Sequence, residues 1–369
     1  VRVLFLNKYT AGGPSSRYRV LQFLPYLEAR GIQFTVHALH DDHYLASRYS
    51  GAGTSPLYLA QRMLSRLSVL TTVSRYDLVF IQKEMLPHII DLPEWFLSRA
   101  GVRYVVDLDD AIHLVYAEAR GWRRVMSGKI PRVLSHACLV LAGNRYLENY
   151  ARRYNENVLF FPTVVDTDKM HPGHPRDSGN PHCAENKPTI VGWMGTPETI
   201  KYLAPIIPAL ESTAKSVPLS LLVVGATIPS TPSLNVRSKS WSEATEADDL
   251  RAMDIGVMPL ADDEWSKGKC ALKLLQYMSA GVASVTSPAA SAPEFVRDGE
   301  NAFLARDGTE WRDRIGMLAG SAGLRSEMGK LARATVEADY SLRTWGPRFV
   351  DALEWAAGDG RTPLSWKQR

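Results

Sequence analysis

The chain has 369 residues, 45% apolar and 22% charged; this excludes wholesale disorder, and the length exceeds what one hydrophobic core organises, so two domains are expected. Cys138, Cys183 and Cys270 are odd in number and lack C-x-x-C spacing, which argues against a disulfide framework or a cysteine zinc site and fits a reducing compartment. The net charge is +4, but residues 1–170 hold 21 Lys and Arg against 15 Asp and Glu while residues 171–369 are net acidic; an anionic partner of the first half and ordinary surface variation explain this split equally well.

No apolar run approaches the ~18 residues of a membrane span. The opening VRVLFLN is too short for a signal peptide, lacks its basic leader and reads as a strand. Strands are expected at VRVLFL (1–6), FTVHAL (34–39), DLVFIQ (77–82), RYVVDL (103–108), CLVLAG (138–143) and VLFFP (158–162). They are apolar almost throughout, as strands buried on both faces of a parallel sheet are. Amphipathic stretches lie between them, such as SSRYRVLQFLPYLEARG with Gly31 as its stop signal. Residues 171–187, rich in Pro, Gly, Asn and His, read as a linker. The alternation restarts with TIVGWM (189–194), LSLLVVG (219–225), DIGVMPL (254–260), VASVTS (282–287) and NAFLA (301–305). A final helix over 341–357 can pack on either half, the first being the expectation, and a mobile tail is expected over 358–369. The pattern predicts two doubly wound α/β domains, 1–170 and 188–340. Such sheets bind ligands outside the carboxyl ends of their strands, so the chemistry is expected in a cleft lined by loops from both.

After the first strand, Gly12-Gly13 permits a tight turn with close backbone approach. Pro14-Ser15-Ser16 then opens a helix whose N–H groups can hold an anion, with Arg17 and Arg19 adding charge; a plain β–α turn explains the run as well. No G-x-G-x-x-G is present and no acidic residue ends the second strand, which argues against a dinucleotide dehydrogenase. His37, His40 and His43 are three apart, a spacing that alternates faces at a strand end and argues against a metal site. The fourth strand ends in Asp107-Leu108-Asp109-Asp110, an acidic triplet projecting into the cleft. One of its carboxylates, assisted by His113, can orient or deprotonate a sugar hydroxyl; a helix N-cap is the structural alternative. Residues 55–73 carry Arg62 and Arg66 one turn apart, and residues 119–132 carry Arg120, Arg123, Arg124, Lys129 and Arg132 around Trp122. These basic amphipathic stretches suit an anionic membrane surface, and equally a solvated helix face. No recognised nucleic-acid module is present, so nucleic acid is not an expected partner.

In the second half, TIVGWM runs into Gly195-Thr196-Pro197-Glu198. Gly195 is a close-approach position, and Thr196 can offer hydroxyl and N–H to a diphosphate. The segment 254–305 says most. A strand ends at Pro259, a polar loop follows over 261–269, and a helix runs from near Ala271 to Gly281. Lys267, Lys269 and Lys273 crowd its N-terminus, where cations oppose the helix dipole. A diphosphate bound there, against backbone N–H groups around Ala271 and Leu272, relieves the conflict. Gln276, one turn past Lys273, is placed to hydrogen-bond a ribose hydroxyl.

In this order the motifs resemble the GT-B-fold nucleotide-sugar glycosyltransferases of family four, also called glycosyltransferases group one. The resemblance spans nearly the whole chain. In the first half it runs through AGGPSSRYR, VVDLDDAIH (105–113), LAGNRYLENYA (141–151) and FPTVVDTDKM (161–170). In the second it runs through the GWMG turn (192–195), KSWSEATEADDL (239–250), DIGVMPL, KGKCALKLLQYMSAG and APEFVRDGENAFL. It implies two facing Rossmann-like domains and transfer of a hexose-type sugar from a nucleotide diphosphate to a saccharide, lipid-linked or polysaccharide acceptor. It also implies retained anomeric configuration, no metal and no cofactor. The donor is expected on Gly195, Thr196, Trp241, Lys269, Ala271, Leu272, Lys273 and Gln276, and the acceptor over Gly12, Gly13, Ser16 and Arg17, with Asp109, Asp110 and His113 as the catalytic group. Several such enzymes work at the bacterial inner membrane in cell-envelope or exopolysaccharide synthesis, which implies a cytoplasmic protein, peripheral on the inner face.

The chain departs from that family in three places. Of two glutamates eight positions apart, the second is here Gln276 and the first Gly268, with Glu264 a substitute from the preceding loop. An Arg and Lys pair after the first strand of the second domain is replaced by Gly195-Thr196-Pro197, with Lys201 nearby. A histidine in an H-D pair is replaced by Asp109-Asp110. The missing glutamates keep open a non-catalytic sugar-nucleotide-binding protein, and the fold keeps open a sugar-nucleotide epimerase.

Overall fold

The computed structural model describes residues 1–117, 121–172 and 187–358, and the side chains of all of these except 121–123. Arg120, Cys183, most of the expected linker and the tail from 359 lie outside the described residues, as do the side chains of Trp122 and Arg123. The chain divides into two compact units. One comprises Val1–Val164, Lys267–Cys270 and Leu342–Arg369; the other comprises Val165–Ser266 and Ala271–Ser341.

The first unit contains β1 (Arg2–Tyr9), β2 (Gln33–His40), β3 (Leu78–Gln82), β4 (Tyr104–Leu108), β5 (Leu139–Ala142) and β6 (Val158–Phe160). They form a parallel six-stranded sheet in the order β2-β1-β3-β4-β5-β6. The chain leaves β1 toward one edge and returns to place β3 on its other side. The order therefore reverses between β1 and β3, which opens a crevice at their carboxyl ends. One face of the sheet packs Val3, Phe5, Phe80 and Val105 against the final helix, Leu342–Ala357. Phe349 of that helix stacks on Phe23 at 4.5 Å, and Trp345 meets Phe161 edge-on at 5.1 Å, so the helix belongs to the first unit. The expected single helix after β1 is broken into Pro14–Arg19, a 3-10 turn at Leu21–Phe23, and Leu24–Ala29. Pro25 lacks the N–H that a continuous helix needs there. Gly31 ends the run at φ +75°, as expected.

The second unit contains β7 (Thr189–Met194), β8 (Leu219–Val224), β9 (Asn235–Lys239), β10 (Ile255–Met258), β11 (Ala283–Thr286) and β12 (Phe303–Leu304). Their order is β12-β11-β10-β7-β8-β9, all parallel, with the reversal between β7 and β10. Its core joins Val191, Trp193, Leu221, Val257 and Val285 to Trp311 and Ile315. β9 was not expected: NVRSK has no apolar run because it is an exposed edge strand, held by pairing with β8. The chain joins this unit at Val165, before the expected boundary at 170. The reason is local: the Met170 carbonyl accepts from Ser279 Oγ at 2.7 Å and from Arg333 at 2.6 Å. The expected loop 261–269 contains a short helix, Glu264–Lys267, whose entry is fixed by Ser266 N–H donating to Asp263 Oδ1 at 2.7 Å. Among the described residues no helix is long and apolar enough to cross a membrane.

Candidate active site

In the first unit, the turn after β1 depends on its glycines. A Cβ on Gly13 would lie 2.4 Å from Tyr9 Cβ, and one on Gly12 would lie 3.1 Å from Asp42 Oδ1. Ser16 and Arg17 build this turn rather than line its surface. Ser16 Oγ is buried, donates to Gln82 Oε1 at 2.7 Å and accepts from Tyr9 N–H at 3.0 Å. Arg17, also buried, donates to the Ala11 carbonyl at 3.1 Å.

The acidic triplet does not project as one group. Asp107 lies within β4 on the core face and is fully buried against Arg19. Asp109 is buried, accepts from Ser15 and pairs with Lys83 at 3.1 Å. Asp110, the most exposed of the three, also pairs with Lys83. Burial pushes the Asp109 carboxyl up, but Lys83 and Arg19 outweigh it and bring it below its ordinary value. Burial likewise works against the Lys83 ammonium, and Asp109 with Asp110 raises it well above the ordinary range. Lys83 adopts φ +67° at the end of β3, a strained conformation for lysine that turns its side chain onto the aspartates. His113 is half-buried and stacks on Tyr150 at 3.8 Å.

The segment Lys267–Cys270 packs as part of this unit. The Asn144 amide donates to the carbonyls of Lys267 and Lys269 at 2.9 and 3.0 Å, and its oxygen caps the next helix through Leu147 N–H. Cys270 Sγ donates to the Asp109 carbonyl at 3.4 Å, and burial pushes its thiol pKa up. Lys269 is therefore held by its backbone in the first unit.

The remaining expected donor residues belong to the second unit: Gly195 and Thr196 follow β7, Trp241 follows β9, and Ala271, Leu272, Lys273 and Gln276 lie at the start of or on the helix Leu272–Ser279. A Cβ on Gly195 would lie 2.5 Å from the Trp193 ring and 2.6 Å from Lys273 Nζ. Gly225, at φ +86°, approaches so closely that its Cβ would lie 2.2 Å from the Gly195 carbonyl and 3.3 Å from Trp241. Lys273 Nζ sits over the Trp193 ring, 4.2 Å from its centroid, and donates to Thr199 Oγ1 at 3.3 Å. The aromatic face stabilises a cation that the helix Leu272–Ser279 would otherwise disfavour. Ala271 precedes that helix in the left-handed region, φ 48°. The Thr196 N–H, expected to face a phosphate, donates instead to Thr199 Oγ1 at 3.2 Å.

Gln276 is buried, and its amide donates to Glu246 Oε1 at 3.1 Å. The Trp241 indole N–H donates to the same oxygen at 2.9 Å. Glu246 is the residue that sequence reasoning missed; it lies within the marked run KSWSEATEADDL, but nothing in that run distinguishes it from Glu243 or Asp248. Lys8 and Lys83 were missed in the same way.

The basic stretches turn partly inward. Arg66 is 1% exposed, and Arg62 donates to the carbonyls of Leu39 and Ala38, both at 2.8 Å. Lys129 is fully buried against Glu84, and Arg132 pairs with Asp91 at 2.6 Å. The helix faces expected to be basic are thus largely engaged within the unit.

Two parallel six-stranded α/β units, with clustered site residues beyond the strand ends, define the GT-B glycosyltransferase architecture. HepE of Anabaena, in complex with UDP and glucose, has the same fold at 16% identity, with a TM-score of 0.68 over 95% of this chain and 99% of that one. Sucrose-phosphate synthase of Thermosynechococcus elongatus matches at 13% identity and TM-score 0.68, over 97% of this chain and 100% of that one. Trehalose 6-phosphate synthase of Burkholderia multivorans matches at 12% identity and TM-score 0.65, over 97% and 100%. Residues 186–320 match the family model described as glycosyl transferases group 1. The fold is thus that of the GT-B glycosyltransferases, and residues 186–320 carry the family match. No curated protein matches the sequence.

Proposed function

We propose that the protein transfers a hexose-type sugar from a nucleotide diphosphate to a saccharide or lipid-linked acceptor, with retention and without a metal or cofactor, in bacterial cell-envelope or polysaccharide synthesis. The observation that carries this reading is the convergence of Gly195, Gly225, Trp241 and Lys273 at the carboxyl ends of β7, β8 and β9, beside the buried Trp241–Glu246–Gln276 linkage. The glycines let the turns after β7 and β8 pack closely and bring Lys273 against Gly195, Lys273 supplies charge to the departing diphosphate, and the Trp241 ring offers a stacking face for the base. Glu246 fixes both Trp241 and Gln276 through one oxygen, so it is a positioning residue for the nucleoside end. The acceptor lies on the first unit near Asp110 and His113. In same-face displacement the departing phosphate can take the acceptor proton, so no protein base is required.

HepE binds UDP and glucose, which makes UDP the first nucleotide to try. A thermal-shift series across UDP, GDP, CMP and dTDP and their sugars tests the proposal. One nucleotide family is expected to raise Tm, and turnover of its sugar is expected to survive a chelator. No shift with any of them would remove the donor assignment.

A further inference from the structure

The carboxyl ends of β1 and β2 hold positive charge that no carboxylate neutralises. Lys8 is half-buried near the end of β1, beside the crevice where the strand order reverses. Its aspartate and glutamate neighbours are engaged elsewhere: Asp109 and Asp110 pair with Lys83, and Glu84 pairs with Lys129. Arg66 reaches the same strand ends from the helix Pro56–Ser68. Its guanidinium donates to His37 Nδ1 at 3.2 Å, to the His37 carbonyl at 2.9 Å and to the Asn7 carbonyl. Among the described residues neither Lys8 nor Arg66 has a carboxylate within ion-pair distance.

Burial, then Lys83, lowers the Lys8 pKa to about 8, against the pull of Glu84, Asp110 and Asp109. Burial also lowers Arg66 to about 9, with Arg62 adding to the effect and Glu94 opposing it. Unsatisfied polar atoms lie in the same place. Both polar atoms of the fully buried Asn7 amide, and Nδ1 of buried His40, have no hydrogen-bond partner among the described residues. His40 stacks on Tyr44 at 3.9 Å, and the Tyr9 and Tyr44 rings lie 6.3 Å apart and nearly parallel. A cation drawn away from water without a counter-charge is costly. A fold that keeps two beside orphaned polar groups is arranged for an incoming negative group.

We propose that this end of the sheet binds an oxyanion carried by the acceptor, a carboxylate or a phosphate ester, with Lys8 as its direct partner and Arg66 supplying the surrounding positive potential. Lys8 Nζ lies over the Tyr9 ring, 5.4 Å from its centroid, so Tyr9 holds the ammonium at the site. The proposal rests on the glycosyltransferase reading only in calling the bound molecule an acceptor.

Calorimetric titration of the full chain with glucuronate, glucose 6-phosphate and glucose tests it. The charged probes are expected to bind at least about tenfold tighter than glucose near pH 7. The preference is expected to weaken near pH 9 as Lys8 loses its proton. Preference for one charged probe alone identifies the carboxylate or the phosphate ester as the group recognised. Lys8→Met is expected to lose the preference while keeping its Tm, and Lys8→Arg to keep it at both pH values. Equal affinity for the three probes, no binding of either charged probe, or a preference that survives Lys8→Met would overturn the proposal. A separate UDP titration reports on the second unit; its failure would count against the donor site and leave the oxyanion site standing.

Discussion

Gly268 stands where the resembling family places a glutamate, and its surroundings forbid one. A Cβ there would lie 2.5 Å from Ala111 Cβ and 2.6 Å from the Ala111 backbone nitrogen. Gly268→Glu is therefore expected to destabilise the first unit by about 1–3 kcal/mol in denaturant melts; wild-type stability in that variant would show that the segment can move aside. Lys273 behaves oppositely. It touches Trp193 and Thr199 but sits in the first turn of a helix, where a cation is unfavourable. Lys273→Ala should keep Tm within a few degrees, because a cation–π contact of about 0.5–1 kcal/mol is exchanged for relief of the dipole conflict. Its affinity for the stabilising nucleotide should fall about tenfold or more. Unchanged nucleotide affinity would sink the phosphate role.

Among the elements, the parallel strands were readable because both of their faces are buried, which makes them short apolar runs. β9 was not, because an exposed edge strand is defined by its neighbour rather than by its own residues. The site was readable in part for a related reason. Gly195, Trp241, Lys273 and Gln276 stand out by their place after strands or in a helix. Glu246, Lys8, Lys83 and Arg66 take their meaning from partners on other elements. Asp107 and Asp110 look alike in sequence, yet Asp107 lies inside β4 and is buried, while Asp110 follows the strand's end and sits at the rim. The final helix, Leu342–Ala357, shows the energetic side of this dependence. Phe349 is fully buried among Phe5, Phe23, Phe80 and Phe161. Phe349→Ala should cost about 3–5 kcal/mol in equilibrium unfolding, and a loss below about 1 kcal/mol would mean that the helix is not integral to that core. β2 carries a pH signature. Burial, with Arg66 beside His37 and Lys8 beside His40, lowers both imidazoles to about 4 from an ordinary 6.5. The unfolded chain therefore binds more protons between these values, and stability should fall as pH drops from 6.5 to 4. His40→Phe should flatten that slope, while an unchanged slope would assign the acid sensitivity to other groups.

At the scale of the whole molecule, the burial of Arg66 and Lys129 removes two cations from the surface without ending the case for a membrane. Lys129 and Arg132 are neutralised by Glu84 and Asp91, so these pairs leave the excess of basic residues over residues 1–170 in place. The first half keeps its excess of positive charge, with Arg66 and Lys129 drawn inward and Arg124 and Arg132 at the surface. The described surface of the same unit also exposes apolar side chains, Leu57 and Leu64 on one helix and Trp95 and Phe96 on another. A field draws the protein to an anionic bilayer, and shallow insertion of such side chains holds it there. The full chain is accordingly expected to co-sediment with vesicles containing phosphatidylglycerol and to remain in solution with phosphatidylcholine alone. Raising ionic strength should release it, because screening shortens the field to about 8 Å near physiological salt and about 3 Å at 1 M. Leu64→Asp with Trp95→Asp should weaken sedimentation at low salt without altering nucleotide binding, since both side chains lie on the first unit and outside the donor residues. Sedimentation indifferent to anionic lipid and salt would assign any membrane contact to the apolar side chains alone, and none under either condition would remove the membrane expectation.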